Sequence, residues 1–291
     1  MNLRKTFFIL PNLFTLSSVF CGFFALTLCV GDAALDHLLQ ASLAICFGFF
    51  FDTFDGRVAR LTKTQSALGL QLDSLADMIT FGAAPGLLVY KWGLTSLGLW
   101  GVVIAFLFVA AGALRLARFN VISTQEGKPG KYMLGLPIPA AAGVLISLVV
   151  VHQGQVRGHQ VQVQGGIAVL VCVLSYLMIS RVRFRSFKDV RVTRKSLAVF
   201  FLLVVGSIII TMKLHASFIF LTLMSCYLAL GLTEEVILYA AEQRRKRREA
   251  KLAAGQALAP EDVEHSIEDV EVLRELGVEE TTDTADDKDK V

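Results

Sequence analysis

An all-α bundle of membrane-crossing helices is the fold class this sequence predicts, and three observations predict it. The 291 residues are 54% apolar and 10% aromatic, which is more greasy surface than one soluble core of that length can hide. Eight apolar stretches are each long enough to cross a hydrocarbon layer about 30 Å thick. The Lys and Arg residues between them alternate between rich and poor connections, the pattern expected when basic loops stay on the cytoplasmic side.

The stretches run approximately over 8–30, 34–54, 69–91, 95–117, 135–153, 165–181, 196–213 and 216–240. No small-residue cleavage pattern follows the first, so it is expected to remain as a span and not to leave as a signal peptide. One set of connections carries Arg4 and Lys5, then Arg57, Arg60 and Lys63, then Arg115, Arg118, Lys128 and Lys131, then seven basic residues from Arg181 to Lys195, then six from Arg244 to Lys251. The opposite set carries only Lys91, Arg157 and Lys213, a bias of 22 against 3. An even number of spans with both termini cytoplasmic satisfies it, and an odd number does not.

Charge is distributed unevenly along the chain. The net charge of +3 conceals an acidic end, because 13 of the 25 Asp and Glu residues lie between Glu261 and Asp289. The rest is strongly basic, which suits loops facing anionic lipid headgroups and calls for no nucleic acid. RRKRREAK at 244–251 reads as a stop-transfer anchor seated on headgroups. Beyond it one short helix and a disordered cytoplasmic end are expected. The five cysteines stand singly in apolar stretches with no partner at metal-ligand spacing and read as small core residues. No internal repeat points to a transporter built from duplicated halves.

Chemistry is concentrated in FDTFDGRVARLTKTQSALGLQLDSLADM, residues 51–78, where Asp52, Asp55, Asp73 and Asp77 sit at the edges of two consecutive spans. Ionised Asp in a membrane helix costs several kcal/mol, so such residues face a protein interior or wet cavity and have partners. The first pair is three residues apart and the second four, so each pair projects from a single helix face. Converging carboxylates repel unless a cation lies between them. An all-oxygen ligand set favours Mg2+ or Mn2+ over Zn2+, and Mg2+ commonly binds through carboxylates together with substrate phosphate. Gly56 leaves backbone open to a phosphate or nucleotide, Arg60 offers a donor fork for a diphosphate, and Ser66 adds a hydroxyl. Taken singly, a helical glycine is more often a packing device and a loop arginine more often an anchor. Four Asp residues paired on adjacent spans are far harder to explain as a solvated edge.

The stretch resembles the signature of the CDP-alcohol phosphatidyltransferase family, D-x2-D-G-x2-A-R-x8-G-x3-D-x3-D, at Asp52, Asp55, Gly56, Ala59, Arg60, Gly69, Asp73 and Asp77. Every spacing agrees, although the motif spans only about a tenth of the chain. PNLFTLSSVFCGFFAL at 11–26, DSLADMITFGAAPG at 73–86, RLARFN at 115–120 and GLPIPAAAG at 135–143 are similar to bacterial membrane-embedded phosphatidylserine synthases. The resemblance implies a phosphatidyl group moved from CDP-diacylglycerol to L-serine in the bacterial inner (cytoplasmic) membrane, within a six-helix catalytic core open to the cytoplasm.

By the same resemblance Asp52, Asp55, Asp73 and Asp77 hold two divalent ions, Mg2+ or Mn2+, and Asp77 is the base. Gly56, Arg60 and Ser66 contact the CDP moiety, and Asn12 to Thr15 border it. Arg115, Arg118 and Asn120 stand where they could receive the serine carboxylate. Residues 1–243 form the transmembrane catalytic domain on this reading, and 244–291 the basic segment and acidic tail. Partners would be the two substrates and membrane lipids, with a homodimer compatible. Glycerol 3-phosphate or inositol phosphate is an alternative acceptor, since the motif handles only the CDP half. A divalent-cation transporter is a distant alternative, because it has no use for Gly56 and Arg60 at fixed offsets and all four Asp residues lie toward one membrane face.

Overall fold

Many large apolar side chains are exposed on this protein, as hydrocarbon solvent allows, and hydroxylated ones are buried beside apolar core residues such as Phe81 and Phe108. Phe20 and Trp100 are 67% and 73% exposed, while Ser18, Ser42, Thr80, Ser147 and Ser175 are buried. The computed structural model describes residues 3–31, 35–62, 66–126, 132–155, 164–180, 182–185, 221–226, 228–229 and 244. The chain divides into two compact units, residues 1–229 and 230–291, and only Arg244 of the second is described.

The first unit is helical from the start. Helix α1 (Leu3–Leu28) and helix α2 (Leu35–Leu61) pack along each other. The third run begins as α3 (Ala67–Asp77), where the exposed Ser66 side chain caps the first turn by accepting from the Gly69 N–H at 3.0 Å. It then widens into a π turn at Met78–Ala83, resumes as α4 (Ala84–Val89), widens again at Tyr90–Leu94 and ends in a 3-10 turn at Thr95–Leu97. Pro85 cannot donate to the turn before it, which is where the first wide turn lies. Gly98, at φ +57°, turns the chain into α5 (Leu99–Glu126).

Helices α6 (Ile138–Gln155) and α7 (Gln164–Ile179) bring the long apolar helices among the described residues to six, the third span counted as one. Among the described residues four helical runs are long and apolar enough to cross a membrane, at Pro11–Leu28, Asp36–Ala59, Leu68–Leu97 and Leu99–Ile122. Ile138–Gln153 and Gln164–Ile179 are shorter apolar helices. The third span is longer than the expected 69–91, because its wide turns carry helix past Lys91 to Leu97.

Eight spans are not established. The two expected at 196–213 and 216–240 lie outside the described residues, apart from helical pieces at 221–226 and 228–229. The tail and most of the basic segment also lie outside them.

Among the described residues one small sheet departs from the otherwise all-α architecture. Strand β1 (Tyr132–Leu134) pairs antiparallel with β2 (Arg183–Arg185), matching Tyr132 to Arg185 and Leu134 to Arg183. Gly135, at φ +80°, redirects the chain so that its N–H donates to the Val182 carbonyl at 2.8 Å and the Leu136 N–H donates to the Leu177 carbonyl at 3.0 Å. Three-residue strands are too short to leave an alternating pattern in sequence.

Candidate active site

Two helix edges meet as the paired Asp spacing requires. Asp52 and Asp55 leave one face of α2 and Asp73 leaves α3, and one carboxylate oxygen from each lies within 4.8 Å of the other two. Asp55 is only 5% exposed. Asp77, at the last residue of α3, joins through Asp52, with which it is in hydrogen-bonding range, and its other charged neighbours are Asp73 and Arg115. Carboxyl groups that close must share a proton or a cation.

The electrostatics decide between a resting cluster and a binding site. Unit charges 4.8 Å apart repel by about 3 kcal/mol at an effective dielectric of about 20. Three such pairs amount to roughly the whole stability of an ordinary domain, so the cluster requires neutralisation. One oxygen of Asp55 and one of Asp77 are buried without a hydrogen-bond partner in the described structure. Orphaned acceptors beside like-charged neighbours fit a hard divalent cation.

Around the carboxylates the residues divide by role. A Cβ placed on exposed Gly56 would meet no atom within 4 Å, so the space before this backbone is open. Thr15 is buried, donates to the Pro11 carbonyl at 3.1 Å and is in hydrogen-bonding range of Asp55. Asn12 faces the start of α3, since a Cβ on Gly69 would come 3.9 Å from its Oδ1. Ser66 is committed to its cap. Arg60 lies on α2, and its side chain is outside the described residues.

On α5 the three expected acceptor residues separate. Arg115 is buried, 5.9 Å over the Phe119 ring, and its charge reaches Asp77. Arg118 donates through one guanidinium nitrogen toward the Ile179 and Ser180 carbonyls at 3.4 and 3.5 Å, at the end of α7. Asn120 donates to the Ser74 hydroxyl at 2.9 Å, tying α5 to the residue after Asp73. Sequence reasoning passed over Ser74, because a lone serine between two aspartates carries no periodic signal.

A groove of about 770 Å3 lies between α1 and α2 on the outer face, walled by Leu16, Phe20, Phe24, Leu43, Phe47 and Phe51. The groove's lining includes Phe51, which precedes Asp52 in α2, and its apolar walls suit hydrocarbon.

Comparison with known proteins agrees with this chemistry. The family model described as CDP-alcohol phosphatidyltransferase matches residues 8–177. A Helicobacter pylori strain 26695 protein named CDP-diacylglycerol–serine O-phosphatidyltransferase is 39% identical over 184 residues, 63% of this chain and 75% of its own. A strain J99 protein of the same name is 35% identical over 231 residues, 79% and 92% of the two chains. One from Bacillus subtilis, again so named, is 33% identical over 180 residues, 62% and 91%.

Proposed function

Because the chain belongs to the CDP-alcohol phosphatidyltransferase family, we propose that it transfers the phosphatidyl group of CDP-diacylglycerol to L-serine, releasing CMP. The observation carrying this reading is the cluster of Asp52, Asp55 and Asp73 oxygens within 4.8 Å, with Asp77 attached through Asp52. The names of the similar bacterial proteins support serine as the acceptor. The enzyme works in the inner (cytoplasmic) membrane with both termini cytoplasmic, on the strength of the basic connections.

In this reading Asp52, Asp55, Asp73 and Asp77 hold two divalent ions, Mg2+ or Mn2+. When bound, such ions neutralise charge on the diphosphate and on the departing CMP. The carboxylates fix where the diphosphate lies, and Gly56 lets it approach the α2 backbone. Arg60 and Ser66 flank the nucleotide, with Asn12 and Thr15 on the opposite wall. The acyl chains lie along the α1–α2 groove and keep the scissile phosphorus at the membrane edge. Asp77 takes the proton from the serine hydroxyl as its oxygen attacks the phosphorus bearing diacylglycerol. Arg115 beside Asp77 compensates charge there, and Arg118 receives the acceptor carboxylate.

The direct test supplies purified protein with CDP-diacylglycerol and serine, glycerol 3-phosphate or inositol phosphate, following CMP and lipid product together. Serine alone should yield both. CMP release with only a phosphorylated acceptor would overturn the choice.

Two substitutions probe the substrate walls. Gly56→Ala should stabilise α2 by up to about 1 kcal/mol, since an exposed helical glycine is costly, yet lower kcat/KM for CDP-diacylglycerol about tenfold by filling the open space. Thermal unfolding and steady-state kinetics on one preparation read both signs. Arg118→Ala should raise the serine KM several-fold more than the CDP-diacylglycerol KM. Equal changes in both, with a lower unfolding temperature, would restrict Arg118 to capping α7.

A further inference from the structure

One helical turn deeper than the carboxylates, three helices meet on hydroxyls and glycines. Thr80 and Ser18 are fully enclosed, at 0% and 1% exposure. The Thr80 hydroxyl donates to the Ser18 carbonyl at 2.9 Å, and the Ser18 hydroxyl donates to the Gly48 carbonyl at 3.2 Å. A single chain of hydrogen bonds therefore runs from the third span through α1 to α2. Glycine makes the approach possible. A Cβ on Gly48 would come 2.5 Å from Thr80 Cγ2, and one on Gly22 would come 2.7 Å from Thr80 Cα.

Each member of the junction is one turn from the acidic layer. Gly48 precedes Asp52 by four residues and Ser18 follows Thr15 by three, so each lies on or beside the same helix face as its counterpart, and Thr80 follows Asp77 by three residues inside the wide turn. Apolar packing alone fixes such a distance loosely, because side chains can change rotamer. A buried hydroxyl held on a backbone carbonyl fixes it far more tightly. Mg2+ tolerates little error, since it demands oxygens at about 2.0–2.1 Å.

We propose that Thr80, acting with Ser18, is a positioning residue for the acidic centre, its hydroxyl setting the separation of Asp77 from the carboxylates of α2 and hence the affinity for divalent ions. The inference rests on reading that cluster as a metal site. Thr80→Val keeps the shape and removes the hydroxyl, and Thr80→Ser keeps the hydroxyl and removes the methyl. Partners that orient metal ligands typically contribute about 10- to 100-fold in affinity.

The test is Mn2+ binding to the full-length enzyme in detergent, read from the electron paramagnetic resonance signal of free ion, beside the Mn2+ concentration for half-maximal turnover. Thr80→Val should weaken both about tenfold, and Thr80→Ser should restore both to within about threefold. Wild-type affinity in Thr80→Val, or Thr80→Ser as weak as Thr80→Val, overturns the inference. If Thr80→Val does not fold, Ser18→Ala decides by the same measurements, with about threefold weakening expected and no change overturning it. Wild-type protein that binds no Mn2+ and turns over in chelator refutes the metal reading itself, a separate result.

Discussion

Asp77→Asn should yield a folded protein that binds CDP-diacylglycerol and turns over at least about 100-fold more slowly, the usual loss when a general base is removed. Asp77 closes α3, reaches Asp52 and has the buried Arg115 charge beside it. It is not among the three carboxylates that cluster within 4.8 Å. Asparagine retains its size and a carbonyl oxygen but cannot accept the serine proton. Single-turnover CMP release with prebound CDP-diacylglycerol, beside a binding isotherm for that lipid, separates the two roles. A fall in binding that matches the fall in turnover would make Asp77 chiefly a metal ligand.

Asp55→Asn should be more severe in one respect and opposite in another. Asp55 is the buried member of the triad and has an oxygen with no hydrogen-bond partner. Losing its charge should weaken divalent-ion binding by two orders of magnitude or more and reduce turnover to background. In chelator, however, the variant should unfold at a higher temperature than wild type. It lacks one of the like charges, each pair of which costs about 3 kcal/mol when nothing lies between them. Unfolding curves with and without Mn2+ check both signs together. A variant less stable than wild type in chelator would show that Asp55 is held by its protein neighbours and not by a cation.

How much of this site was legible depends on whether the information is local. The i,i+3 and i,i+4 spacings of the aspartates are local, and they place each pair on one helix face without any tertiary knowledge. The alternation of basic connections is likewise written along the chain. The junction of Ser18 and Thr80 joins residues 62 apart, and nothing in either segment names the other. Its one local trace is the small-residue spacing of Ser18 and Gly22 in α1, common in packed membrane helices. Arg118 shows a different limit. Charge and position mark it as a cytoplasmic anchor or an acceptor ligand, whereas its engagement with the carbonyls at the end of α7 depends on where a helix ends 61 residues later. The β1–β2 pair is equally hidden, since three residues cannot display a period.

The wide turn at Met78–Ala83 lets one span serve two masters. An extra residue in a turn rotates everything after it by roughly 100° about the axis. Above the turn, α3 aims Asp73 and Asp77 toward the acidic edge of α2. Below it, Gly86 of α4 abuts Val109 of α5. The span behaves as a crankshaft whose two throws are set at different angles, so the reactive end can be tuned without retiming the end that bears the bundle's load.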